Sequence, residues 1–148
     1  MNVYQEEQLT FPEIFPDSGK IITLRKDREI LIIDDDYDFR LSLSELLSLQ
    51  GYKILTAKNG RDALEYLIST QDPPELIILD LNMPEENGIC FWNNLNEHRE
   101  LCHIPTIVIS GFIPNPEQLI GIKSIITKPI DRLELLNTIE TIFKKYEL

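Results

Sequence analysis

The chain has 148 residues, 43% hydrophobic and 26% charged, enough apolar material for one ordinary domain with little room for a second. Its 14 basic residues against 25 acidic ones leave a net charge of −11, which repels nucleic-acid backbones and anionic membranes and argues against direct binding to either. Two cysteines, Cys90 and Cys102, cannot build a disulfide scaffold, and no apolar run approaches the roughly 18 residues of a membrane span.

No leader pattern opens the chain, so the expected compartment is the cytoplasm, with both thiols reduced and packed as small hydrophobes. Residues 1–28 are expected to form an irregular arm, because Pro12, Pro16, Asp17, Ser18 and Gly19 interrupt any period. Leu9, Phe11, Ile14 and Phe15 could dock that arm on the body or a partner, and Ile21, Ile22 and Leu24 could make one short strand.

The regular domain is expected over 29–148. Ile30-Leu31-Ile32-Ile33 is a continuous apolar run ending in three aspartates, the pattern of a strand buried on both faces. Phe39, Leu43, Leu46 and Leu47 follow at helical spacing, and Gly51 supplies the stop. Ile54 to Ala57 reads as a second strand; Asn59 then caps a helix whose inner face is Ala63, Leu64, Leu67 and Ile68, ended by Pro73-Pro74.

Leu76-Ile77-Ile78-Leu79 is a third strand stopping at Asp80, and a helix from Gly88 to about His98 follows a turn through Met83 and Pro84. Phe91 and Trp92 on that helix read as core. Thr106 to Ile109 is a fourth strand ending at Ser110, and Ser124 to Thr127 a fifth ending at Lys128-Pro129. Asp131 with Glu134 makes a capping box for a last helix with Leu133, Leu136, Ile139, Ile142 and Phe143 on one face.

Strands alternating with helices predict an α/β fold: a doubly wound, flavodoxin-like parallel sheet of five strands in the order 2-1-3-4-5. Ligands in such folds bind outside the carboxyl ends of the strands where the order switches, here between strands one and three. Asp34, Asp35, Asp80, Ser110 and Lys128 all fall at strand ends on that edge. Neighbouring carboxylates would push one pKa upward unless a cation neutralised them, and an oxygen-only donor set selects a hard ion such as Mg²⁺. A carboxylate nucleophile flanked by Mg²⁺ and a lysine suits phosphoryl transfer, where charge spreads over three oxygens.

The segments Ile-Leu-Ile-Ile-Asp34-Asp35, Leu-Asp80-Leu-Asn82-Met83-Pro84 with Gly88, Ile-Ser110-Gly111 and Thr-Lys128-Pro129 together closely resemble the receiver domain of bacterial two-component response regulators, over roughly 29–147. The resemblance implies a stand-alone receiver and not a turnover enzyme. Asp80 would be the phosphoacceptor. Asp35 would ligate Mg²⁺ (or Mn²⁺ in its place), with Asp80, the Asn82 backbone carbonyl and, through water, Asp34.

It further implies that Ser110 is the switch hydroxyl, Lys128 the phosphate-pairing cation and the bond to Pro129 cis. The donor would be a sensor histidine kinase or a histidine phosphotransfer protein. The fourth helix, fifth strand and last helix would contact a downstream protein or a second copy in a dimer.

Two features depart from the family. The interval from Ser110 to Lys128 is short and holds Pro114 and Pro116, so its helix is expected to be short or irregular. Ile125 stands where the family often has Tyr or Phe, and reads as a fixed packing element. These departures motivate the alternative of a pseudo-receiver scaffold that binds partners without phosphorylation. A phosphohydrolase lacks a second acid–base group and a cap here, and strand-one carboxylates would repel a flavin phosphate. Asp36 reads as a helix cap. His98, Cys102 and His103 have no fourth partner, and a helix end with a packed cysteine explains them more simply than a metal does.

Overall fold

Each of the apolar runs forms a short strand. The computed structural model describes residues 28–84 and 87–146. The strands are β1 (Glu29–Ile33), β2 (Lys53–Ala57), β3 (Leu76–Asp80), β4 (Thr106–Ser110) and β5 (Ser124–Thr127). All neighbouring pairs are parallel and the order is β2-β1-β3-β4-β5, as expected from the chain pattern. The helices are α1 (Tyr37–Leu49), α2 (Gly60–Ser69), α3 (Gly88–Asn96) and α4 (Arg132–Lys145). The expected arm falls outside the described residues except for Arg28, as does the strand expected at Ile21–Leu24.

The sheet separates two cores, which explains why its central strands are apolar throughout. Leu31, Ile33, Ile77, Leu79 and Val108 face α2 and α3, packing with Ala63, Leu67, Phe91, Trp92 and Leu95. The alternate residues Ile30, Ile32, Leu76, Ile78, Ile107 and Ile109 pack with Leu43 and Leu47 of α1 and with Leu135, Ile139, Ile142 and Phe143 of α4. A strand covered on both sides has no solvent face, so alternation disappears from its sequence.

Local signals set the ends of the helices. Asp36, Asn59, Asn87 and Asp131 each accept an amide hydrogen bond from the first turn of their helices. Asp131 accepts from both Leu133 and Glu134. After α1, Gly51 adopts φ +92° while Gly51 N–H donates to Ser48 O and Tyr52 N–H to Leu47 O, a Schellman closure that a glycine accommodates without strain.

Three packing expectations are corrected. Ile68 is 57% exposed and Leu133 67% exposed, while Tyr66 is half-buried and Leu135 fully buried. The helical stripe read from sequence is wider than the face that the sheet covers. The third correction concerns Ile125, which is exposed on the edge strand β5 rather than fixed in packing. The crossover before it is reduced to a 3₁₀ turn, Pro116–Leu119, which buries Leu119 but leaves the outer part of β5 uncovered.

The thiols also depart from expectation. Both cysteines are free, but Cys90 is exposed, and Cys102 is half-buried with its Sγ donating to Arg99 O. Phe91 and Trp92 are core residues, as expected. No helix among the described residues is long and apolar enough to cross a membrane.

Candidate functional site

The carboxyl end of β1 carries Asp34, whose backbone N–H is held to Ala57 O of β2 at 3.1 Å. The residue is buried at 1% exposure, and its Oδ1 accepts the Asp36 N–H at 2.8 Å. Arg40 Nη1 donates to the Asp34 carbonyl at 2.6 Å, tethering the strand end to the first turn of α1. Asp35 beside it is exposed.

Asp80 ends β3 next door and is also buried, with Oδ1 accepting the Asn82 N–H at 3.0 Å. Leu81 N–H donates to Ile109 O, extending the β3–β4 ladder past the acid. Gly88 seals the other side. A Cβ there would lie 2.5 Å from the Asp80 carbonyl oxygen and 2.9 Å from Leu81 Cα, so only glycine fits this approach.

Lys128 leaves the end of β5, where its N–H donates to Ser110 O at 2.8 Å and its bond to Pro129 is cis. The ammonium reaches back across the sheet edge to Asp34 Oδ2 and Asp80 Oδ2, each at 3.5 Å. Ser110 is fully buried at the end of β4, its hydroxyl accepting the Phe112 N–H at 3.3 Å.

Carboxylate oxygens of Asp34, Asp35 and Asp80 all lie within 4.8 Å of one another. Among the described residues, this is the one group of three or more His, Cys, Asp or Glu side chains that converges in this way, so His98, Cys102 and His103 do not form a metal site. Burial pushes the Asp34 carboxyl up to about 6, the Asp36 amide opposes that shift, and the negative charge of Asp80 adds to it. The sequence pointed to repulsion between carboxylates as the cause; desolvation is the larger one. An oxygen-only anionic cluster, with Asp34 and Asp80 buried and Asp35 open to solvent, fits a hard divalent cation of the Mg²⁺ class.

Two residues at the site were not singled out as site residues by sequence reasoning. Phe39, read as an ordinary core position, places its ring 4.4 Å from Lys128 Nζ. The other is Arg40, whose guanidinium holds the Asp34 carbonyl. Their common signal is position: both sit in the first helical turn after the strand at which the sheet order switches.

The chain matches the response regulator receiver domain family over residues 30–140. It belongs to that family. Among curated receivers it is 30% identical over 121 residues to a homolog of the transcriptional regulatory protein CpxR from Haemophilus influenzae, covering 79% of this chain and 51% of the relative. The chain thus spans about half the length of that protein. Against Protein PilH of Pseudomonas aeruginosa it is 29% identical over 117 residues, covering 76% of this chain and 95% of PilH. The response regulator TrrA of Thermotoga maritima, solved in complex with Mg(2+)-BeF, superposes with a TM-score of 0.70 at 25% identity, covering 78% of this receiver and 98% of TrrA.

Proposed function

We propose that this receiver accepts a phosphoryl group on Asp80 from a phosphohistidine of a sensor histidine kinase or histidine phosphotransfer protein. The observation that carries this reading is the convergence of Asp34, Asp35 and Asp80 with the ammonium of Lys128 at one end of the sheet. In the transfer, an Asp80 carboxylate oxygen forms a bond to phosphorus. The phosphorus–nitrogen bond to the donor imidazole breaks, and its electron pair stays on the imidazole nitrogen.

The residues divide the work by charge. Asp35 and Asp80 would hold Mg²⁺ (Mn²⁺ can substitute) with the Asn82 backbone carbonyl, and Asp34 would reach it through water. Bound there, the ion neutralises the carboxylates and the phosphoryl oxygens. Lys128 pairs with a phosphoryl oxygen from the opposite side. The Ser110 hydroxyl is the switch group in this reading, exchanging its Phe112 amide contact for the phosphoryl oxygen as a hydrogen-bond donor. Asp80 and Lys128 are joined directly across β3 and β5, so protein charge awaits the transferred group without acid–base machinery.

Residues 29–148 form the receiver unit in this reading, and 1–28 an extension of it. The compartment is cytoplasmic, and the output is altered binding of a downstream protein, or of a second copy, at the face of the 3₁₀ turn, β5 and α4. The pseudo-receiver alternative draws on that same region, where the crossover is contracted and Ile125 replaces an aromatic residue. Both are tested by incubating the protein with a small acyl phosphate and Mg²⁺ and measuring intact mass. Stoichiometric addition of one phosphoryl group, absent in Asp80→Asn, is the expected result. An unmodified parent under those conditions defeats the phosphoacceptor reading and favours the scaffold.

A further inference from the structure

Lysine is a strongly hydrated point charge on a flexible stem, so holding its ammonium at one place requires contacts on more than one side. In this protein the Lys128 ammonium lies 3.5 Å from each of two carboxylates, longer than the roughly 2.7–2.9 Å of a firm charge-assisted hydrogen bond. The carboxylates attract it without clamping it. A third contact comes from Phe39, whose ring centroid is 4.4 Å from Nζ.

That ring is itself well anchored. Phe39 is half-buried and packs against the core between the sheet and α1 and α4. Its backbone N–H donates to the Asp36 carboxylate at 3.1 Å. The cap that begins α1 therefore also sets the turn from which the ring projects.

Resting on the phosphoacceptor reading, we propose that Phe39 is a positioning residue for phosphoryl capture: its ring face seats the Lys128 ammonium beside Asp34 and Asp80 before the phosphoryl group arrives. A neutral π-face suits this role better than a third carboxylate would. It attracts a cation through its quadrupole, yet carries no net charge to repel incoming phosphoryl oxygens.

The test compares parent, Phe39→Leu and Phe39→Trp by NMR during titration with Mg²⁺ and then beryllofluoride. In the parent, the Lys128 ε-methylene protons should be displaced upfield by the ring current, and Phe39→Leu should abolish that displacement. Phe39→Leu should weaken beryllofluoride capture about threefold to tenfold while changing Mg²⁺ affinity less than about twofold, and Phe39→Trp should restore capture. Capture by Phe39→Leu equal to the parent overturns the role of Phe39 and leaves the phosphoacceptor reading standing. No capture by the parent overturns both. Should Phe39→Leu fail to fold, the parent's ring-current displacement decides: lysine signals at their ordinary positions refute the contact.

Discussion

Replacing Asp34 with asparagine in metal-free protein isolates the electrostatic cost of burying an acid between β1 and α1. The Asp34 carboxyl rises from 3.8 to about 6, chiefly through burial. At about 1.4 kcal/mol for each tenfold change in acidity, that rise amounts to about 3 kcal/mol. Because the folded value is raised, the contribution of this group to stability is fully present below 3.8 and is lost as pH rises through about 6. Asparagine stays neutral across that range, matches the shape and keeps an oxygen for the Asp36 amide.

In urea titrations with a chelator present, Asp34→Asn should be more stable than the parent near pH 8 by as much as about 3 kcal/mol. The gap should close through the window from 3.8 to about 6 and vanish below it. Adding Mg²⁺ should narrow or reverse the gap, because the parent retains the full set of carboxylates. A parent more stable than the variant in metal-free buffer near neutrality would refute the reasoning, and so would a gap that does not depend on pH.

Gly88→Ala should cost about 1–3 kcal/mol despite the better helix propensity of alanine, because the two nearest atoms the added methyl meets are backbone atoms of Asp80 and Leu81, which cannot swing aside as the Leu81 side chain can. Thermal unfolding measures the loss, and a Tm equal to the parent's would remove this account of the glycine. In α4, Leu135→Ala should cost about 2–5 kcal/mol and Leu133→Ala less than about 0.5, since one is fully buried and the other exposed. Equal losses in chemical denaturation would show that the packing face of α4 is misplaced.

Much of the site was legible because its parts obey local rules. Apolar runs of four or five residues, each followed by a helix start, dictate a parallel sheet, and polar residues at the ends of those runs must gather on one edge. Asp34, Asp35, Asp80, Ser110 and Lys128 could therefore be placed on that edge from spacing alone. The caps Asn59 and Asp131 were equally local, since each bonds amides two or three residues away.

Tertiary packing decided the rest. Leu133 and Leu135 are nearly adjacent in sequence, but only the angle at which α4 meets the sheet selects which one is covered. Ile125 keeps the composition of a core residue and is exposed because the preceding crossover contracted to a single 3₁₀ turn. The meeting of Phe39 with Lys128 depends on the lysine reaching back from the end of β5 to the first turn of α1, two elements with no sequence proximity. Periodicity and caps report forces acting within a few residues of chain, whereas burial and long-range charge contacts exist only once separate elements have been brought against one another.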